Sequence, residues 1–333
     1  MMELKAMHVG LDIGYGQTKI SFTSDQYTPA RNLVLHSGAA PFGLCPTGLG
    51  SGEARTEIVR VTVDGREWGA FVDPDAIAGG VSYLNEDFTR TEAYLAIYKG
   101  VLSMLRSNEV DHIVTGLPVE HMRDDERVHA LQSRLSGKHV IRDGHIVNVK
   151  RVEVIPQAVG AYYGASDTVP AASVKYETVL VIDVGHYSAD WVYLVDQAVR
   201  REFSGSSFRA GAAVLQDAAA YIDKECGVPV TAERLFRIVR DGADVVSIAG
   251  KRIDVRDAVA HGSATVSELV LSKIKTCLRE AGAVSMVLLT GGGARFFEEA
   301  TKAAFGHARI VVLRNPVMAN ANGFRLWSMR PGI

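Results

Sequence analysis

Two stretches of the chain share one pattern. Residues 11–19 read Leu-Asp-Ile-Gly-Tyr-Gly-Gln-Thr-Lys, and residues 182–190 read Ile-Asp-Val-Gly-His-Tyr-Ser-Ala-Asp. In each stretch an apolar strand ends in Asp-x-Gly, a short turn follows, and a polar residue enters a second apolar strand. The two aspartates lie about half of the 333-residue chain apart. The repetition predicts two similar lobes, each with one Asp-x-Gly turn.

The residue types in these turns suit a nucleotide. Glycine lets the backbone approach a phosphate closely and turn its N–H groups toward the oxygens. An aspartate at the strand end can hold Mg²⁺ through water molecules, and Lys19 adds a positive charge for a phosphate. One Asp-x-Gly alone is weak, because ordinary turns use both residues. Two matched copies, with the glycines 291–293 after another apolar strand, favour a nucleotide site.

Composition narrows the class of protein. With 47% hydrophobic and 22% charged residues the chain is typical of globular proteins, and its length suits two lobes. A net charge of −2 gives no strong field for nucleic acid or membranes. The three cysteines lack metal-binding or disulfide spacing, and there is neither a signal-peptide pattern nor an apolar run of about 18–20 residues. We therefore expect a cytoplasmic protein.

Strand and helix signals alternate along the chain and predict an α/β fold with one mixed sheet in each half, flanked by helices. Asp64-Gly65 and Asp143-Gly144 are hairpin turns by their residue types. Pro156 is expected to open a helix that runs to about Gly164. Further predicted elements are helices over 88–106, 123–135, 210–224, 231–240 and 255–281, and strands over 111–116, 178–183, 189–195, 284–289 and 309–313.

Five motifs together resemble those of the actin-like ATPase superfamily. Asp12–Lys19, Asp183–Asp190 and Leu289–Arg295 are similar to its phosphate-1, phosphate-2 and adenosine motifs, and residues 156–161 and 319–324 are similar to its two connecting helices. The resemblance implies an actin-like, ribonuclease H-like duplicated fold with two lobes and an interlobe nucleotide cleft. Lobe I would be residues 1–156 plus 315–333, and lobe II residues 157–314.

Within that superfamily the chain looks like the ParM/StbA bacterial actins of plasmid segregation. The similarity rests on Thr115–Val119 after a predicted strand, on Asn320–Phe324, and on the lack of an extra substrate domain in 333 residues. It implies an ATPase with ATP and Mg²⁺ as cofactors that assembles head to tail with itself. It also implies a DNA-binding adaptor protein that links the filament to plasmid DNA, with no direct nucleic-acid or membrane contact.

The resemblance also implies roles for single residues. Asp12 and Asp183 would organise Mg²⁺, and Gln157 would orient the attacking water, since an amide is too weak a base to deprotonate it. The nucleotide would be contacted by Gly14, Tyr15, Gly16, Gln17, Thr18, Lys19, Gly185, His186, Tyr187, Ser188, Gly291, Gly292 and Gly293.

Several of these roles have simpler alternatives. Asp12 and Asp183 could serve only as turn caps, and Gln157 could be an ordinary first-turn residue. Glu153 is an alternative carboxylate, ranked below Gln157 because it lies in the preceding strand. Asp190 could reach the water shell of the metal or only pair within its strand.

The second turn departs from the family pattern. His186-Tyr187-Ser188 stands where many relatives have Gly-Gly-Thr, which puts in doubt how closely this turn holds a γ-phosphate. His186 is expected to be a surface-turn residue rather than a catalyst. Whether Arg237 or Arg240 stacks on the base stays open, as does the preference between ATP and GTP.

Two other functions remain compatible with the motifs. One is a small-molecule kinase of the same superfamily, against which Gln157 stands mildly, since a kinase needs a carboxylate base. The other is a bacterial or phage actin that works in cell shape or organisation without a plasmid.

Overall fold

The computed structural model describes residues 8–25, 27–46, 58–77 and 87–330. Its strands are β1 (His8–Ile13), β2 (Gln17–Thr23), β3 (Arg31–His36), β4 (Gly38–Pro41), β5 (Val59–Val63), β6 (Arg66–Val72), β7 (Glu109–Leu117), β8 (Gly137–Arg142), β9 (His145–Pro156), β10 (Thr178–Val184), β11 (Ala189–Val195), β12 (Ala198–Ser207), β13 (Val245–Ile248), β14 (Lys251–Asp254), β15 (Met286–Thr290) and β16 (Arg309–Val312). Its helices are α1 (Glu92–Met104), α2 (Asp125–Leu135), α3 (Gln157–Gly164), α4 (Gly211–Cys226), α5 (Ala232–Arg240), α6 (Val255–Cys277), α7 (Ala294–Ala304) and α8 (Ala319–Ser328).

The chain divides into two units. The first is Met1–Gly164 with Met318–Ile333, and the second is Ala165–Val317. The lobes predicted from the sequence differ from these units at both places where the chain passes from one unit to the other. The prediction assigned helix α3 to the second lobe and residues 315–317 to the first. Helix α3 belongs to the first unit because it packs closely against α8, with backbone approaches at Gly160 and Gly164.

The first unit is built on a six-stranded sheet in the order β3-β2-β1-β7-β9-β8. Strands β1, β2 and β3 form an antiparallel meander, whereas β1, β7 and β9 run parallel. The side chains of β1 are almost wholly buried, as expected for a central strand covered on both faces. A smaller sheet in the order β4-β6-β5 packs beside helix α1.

The second unit repeats this plan with a five-stranded sheet in the order β12-β11-β10-β15-β16. Its meander is again antiparallel and its last strands are again parallel to the central one. Even the register is repeated, since Asp12 pairs with Lys19 and Asp183 pairs with Asp190. The predicted duplication, with one mixed sheet in each half, is confirmed.

Helices α3 and α8 of the first unit cross at unusually short range. A Cβ added to Gly323 would lie 1.7 Å from the carbonyl oxygen of Gly160, and one added to Gly164 would lie 2.0 Å from that of Ala319. Strand β1 meets α8 in the same way, because a Cβ on Gly10 would lie 1.9 Å from the oxygen of Ala321. Backbone therefore touches backbone in this layer, and glycine is required there.

Local signals set most element boundaries. Asp64 and Gly65 have φ of 46° and 76°, and Asp143 and Gly144 have φ of 51° and 78°, so both predicted hairpin turns are confirmed. Side chains of Thr91, Asp124, Thr231 and Asp254 cap the first turns of helices α1, α2, α5 and α6.

One predicted start was wrong. Pro156 does not open helix α3, because it still pairs with Leu117 as the last residue of β9, and the helix begins at Gln157.

The glycine contact in the α3–α8 layer yields a stability test. Gly323→Ala should destabilise the protein by about 3 kcal/mol, since the methyl group overlaps the Gly160 carbonyl. Helix propensity alone would give the opposite sign, a gain of about 1 kcal/mol. The midpoint of urea unfolding measures the change. Gly43→Ala is the matched control, because a Cβ there meets no atom within 4 Å; a Gly323→Ala protein as stable as this control would contradict the contact.

Candidate functional site

The first Asp-x-Gly turn joins β1 to β2. It is closed by a hydrogen bond from the Gly14 nitrogen to the Gln17 oxygen at 3.1 Å. A Cβ on Gly14 would lie 3.2 Å from both that oxygen and the Lys19 ammonium nitrogen, so the turn has little room for a side chain there. Thr18 is fully buried and its hydroxyl lies 2.8 Å from that of Ser37. Its side chain therefore supports the sheet, and the nucleotide contact that the resemblance implies for Thr18 stays a prediction.

Three of the predicted residues meet at the end of β1. The Lys19 ammonium lies 3.2 Å from Asp12 Oδ2, and Gln157 Nε2 donates to Asp12 Oδ1 at 3.4 Å. The sheet order β1-β7-β9 produces this meeting, since Gln157 follows directly on β9. Asp12 is only 5% exposed, so its charge depends on these two partners for much of its stabilisation.

The hydroxyl of Tyr94 interacts electrostatically with Asp12. Tyr94 of helix α1 is buried; its burial, and next to that the negative charge of Asp12, raise the pKa of the Tyr94 hydroxyl. Tyr94 therefore stays protonated and adds no competing charge to the site.

Glu153, the alternative carboxylate, is engaged elsewhere. It accepts a hydrogen bond from the Trp327 indole at 2.8 Å and one from the Arg151 guanidinium at 3.2 Å. His112 Nε2 lies 3.4 Å from the same carboxylate, and burial lowers the pKa of His112. With these partners Glu153 ties strand β9 to helix α8, whereas Gln157 contacts Asp12.

The second turn, between β10 and β11, has the same construction. The Gly185 nitrogen donates to the Ser188 oxygen at 2.8 Å. Asp183 is 5% exposed, as Asp12 is. Asp190 accepts hydrogen bonds from the hydroxyls of Ser188, at 2.6 Å, and Ser206. Because each of its two oxygens has a serine partner, Asp190 has a local role in joining β11 to β12.

The bulky residues of the second turn contact phenylalanines. The ring of His186 lies 4.9 Å from that of Phe236 in helix α5, and the ring of Tyr187 lies 5.4 Å from that of Phe208. The first N–H groups of helix α4 bind the same turn, since Gly211 and Ala212 donate to the carbonyls of residues 185 and 186 at 3.1 and 2.7 Å. Neither phenylalanine was foreseen from the sequence, because each lies outside the motif.

The three glycines after β15 differ in what they do. A Cβ on Gly291 would lie 2.3 Å from the Val184 oxygen and 2.4 Å from Asp183 Oδ1, and φ at Gly291 is 89°. A Cβ on Gly293 would lie 2.7 Å from Val184 Cγ1, and the Gly293 nitrogen donates to the same Val184 oxygen at 2.8 Å. A Cβ on Gly292, in contrast, meets nothing within 4 Å. The fold thus requires Gly291 and Gly293, whereas packing does not explain Gly292.

The structure therefore brings the site residues together in two groups. In the first unit Asp12, Lys19 and Gln157 surround one turn, and in the second Asp183 lies beside both its own turn and the triglycine. The sequence analysis left open whether Arg237 or Arg240 stacks on a base. In the structure Arg240 pairs with Asp241. In the part of the chain that the structure describes, no group of three or more His, Cys, Asp or Glu side chains could hold a metal by itself. None of the helices described there combines the length and the apolar character that crossing a bilayer requires.

Comparison with known families agrees with this geometry. Residues 10–160 match the N-terminal domain of actin-like proteins, and residues 181–303 match the C-terminal domain of the MreB-like archaeal actin homologue. No curated protein sequence matches the chain.

Solved structures of the same fold cover nearly the whole chain. A non-polymerisable quadruple mutant of pCBH ParM has 20% identity and a TM-score of 0.74, over 97% of this chain and 98% of its own. A 15-stranded ParM filament from Clostridium botulinum has 19% identity and a TM-score of 0.73, over 98% and 99%. An archaeal actin homologue has 19% identity and a TM-score of 0.73, over 96% and 98%.

The duplicated sheets, the two matched turns and the two successive domain matches lead to one assignment. The chain belongs to the actin-like proteins.

Proposed function

We propose that the chain binds ATP with Mg²⁺, hydrolyses it, and assembles head to tail into filaments in the cytoplasm. The observation that carries the proposal is the repeated construction of the two turns. Each follows a central strand, each is closed by the same backbone hydrogen bond, and each has a buried aspartate two residues before its first glycine. Such a turn presents backbone N–H groups to an anion and a carboxylate to the cation that accompanies it.

The donor set fits a magnesium ion that is held mainly by phosphate and water. Mg²⁺ gives up its water reluctantly and is commonly bound through one or two carboxylates. Asp12 and Asp183 are the two carboxylates proposed to order it, and each is buried beside its own turn. Bound Mg²⁺ would neutralise the phosphate charge during transfer.

Gln157 is proposed to place the attacking water. Its Nε2 donates to Asp12, so its Oε1 is the atom that can accept a hydrogen bond from water. The amide cannot take the proton, and its contribution is orientation, which together with charge stabilisation dominates phosphoryl transfer. Lys19 is proposed to contact the phosphate while it neutralises Asp12.

Structures of related fold support both the ligand and the assembly. An archaeal actin homologue has been solved in complex with ADP and a Bacillus thuringiensis ParM with ATP, at TM-scores of 0.69 and 0.65. A ParM filament is among the structures described above. A head-to-tail contact is heterologous and does not close, so it gives filaments rather than rings. We propose plasmid segregation through a DNA-binding adaptor protein as the role of such a filament.

The metal assignment is tested by two substitutions. Asp12→Ala and Asp183→Ala should each abolish Mg²⁺-dependent phosphate release from ATP, because either change removes a carboxylate that orders the metal. Asp223→Ala, on the exposed side of helix α4, is the matched control and should keep wild-type turnover. Normal turnover in a folded Asp12→Ala or Asp183→Ala protein, checked by circular dichroism, would refute the assignment.

The role of Gln157 is tested by comparison with Glu153. Gln157→Ala should slow hydrolysis about a hundredfold or more while nucleotide affinity is kept, because the substitution removes only the group that orients the attacking water. Glu153→Gln should leave single-turnover hydrolysis close to wild type, because its partners are Trp327 and Arg151. The reverse pattern in single-turnover assays would show that Glu153 is the catalytic residue.

Assembly is tested by sedimentation. Polymer should require ATP and Mg²⁺ and appear above a critical concentration, since each added subunit must overcome its association entropy. ADP should raise that concentration. Pelleting across a concentration series with ATP, with ADP and without nucleotide measures both effects. A chain that stays monomeric at tens of micromolar in all three conditions, with and without a crowding agent, would refute the filament and favour the small-molecule kinase.

A further inference from the structure

The two turns share a side-chain contact that their backbone does not require. Tyr15 and His186 occupy the same position, three residues after Asp12 and Asp183. The Tyr15 ring lies 5.0 Å from that of Phe88 at an interplanar angle of 28°, and the His186 ring lies 4.9 Å from that of Phe236 at 58°. Neither phenylalanine belongs to a large sheet, since Phe88 precedes helix α1 and Phe236 lies in α5. Each turn is thus joined to an element outside its sheet.

We propose that Tyr15 and His186 are positioning residues that hold the two turns in the shape that receives the phosphates. This inference rests on the proposed nucleotide function and adds a role for side chains where the turn motif supplies only backbone donors. The need is clear in the first turn, where Tyr15 stands between Gly14 and Gly16. Two glycines leave the backbone many conformations, and a ring fixed against a partner reduces that number.

The anchor of the first turn is rigid. Phe88 is 2% exposed and meets the buried Tyr94 edge to face, with ring centroids 5.4 Å apart. The neighbouring backbone is held by Arg134, which donates to the oxygens of Thr89 and Thr91 at 2.6 and 2.8 Å. Tyr15 therefore contacts a ring that is itself fixed on several sides.

The second turn depends less on its ring. The His186 carbonyl also accepts a hydrogen bond from Ala212 at 2.7 Å, so helix α4 holds this turn even without the imidazole. Phe236 is only half-buried in α5. The same contact should accordingly matter more at Tyr15 than at His186.

The test compares ring-keeping with ring-removing substitutions on the full chain. Tyr15→Leu should weaken ATP binding about twofold to tenfold, the range expected for one aromatic pair, whereas Tyr15→Phe should restore wild-type affinity. His186→Leu should cause a smaller loss, and His186→Phe should restore it. Adenosine affinity should be unchanged throughout, because the turns face phosphate. Titration calorimetry with ATP and with adenosine measures both, and thermal unfolding checks the fold.

Several outcomes would overturn the proposal, and they differ from failure of the function itself. If the wild-type chain binds no ATP, the proposed function fails. If it binds ATP and Tyr15→Leu binds equally well, the positioning role fails alone. Equal losses in Tyr15→Leu and Tyr15→Phe would instead assign the effect to the phenol hydroxyl. A parallel loss of adenosine affinity would assign it to general damage of the fold.

Discussion

The backbone contact between helices α3 and α8 is the constraint on which the first unit depends. Gly160 and Gly164 on one helix and Gly323 on the other let the two approach until carbonyl and Cα touch. The same α8 lies on β1 through Gly10. Because α3 begins at Gln157 and β1 carries Asp12, the close packing of this layer also fixes the distance between the two side chains. The proposed water-positioning pair, Asp12 and Gln157, thus rests on positions where no side chain is tolerated.

The parts of the fold that the sequence predicted are those with local signals. The hairpins at Asp64-Gly65 and Asp143-Gly144 follow from residues that accept a positive φ. Strand β12 was missed because it is an edge strand whose first residues are exposed and include Arg200 and Arg201, so it lacks an apolar pattern. The domain boundary near α3 was misplaced for a different reason, since the contact of Gly160 with Gly323 joins residues that are distant in the chain.

The candidate site shows the same division. The sequence identified Asp12, Lys19 and the turn between them because they are neighbours along one hairpin. Gln157 was named only through the family resemblance, because its contact with Asp12 arises from the order of three strands and leaves no local pattern in the sequence. The structure also shows how Ser206 engages Asp190 from β12, a strand that the sequence did not reveal. A partner that comes from a distant element has no fixed spacing in the sequence from the residue that it contacts, so the sequence does not predict the contact. Phe88 and Phe236 are further examples.

The three glycines after β15 differ in whether packing allows a side chain at their position. Gly291 and Gly293 are held by their closeness to β10, so exchange at either position would disturb the turn beside Asp183. Gly292 has open space around its missing side chain. A mutation there would be nearly neutral for folding, and selection would act on it only through whatever occupies that space. Position 292 can therefore change among related chains without loss of the fold, whereas positions 291 and 293 cannot.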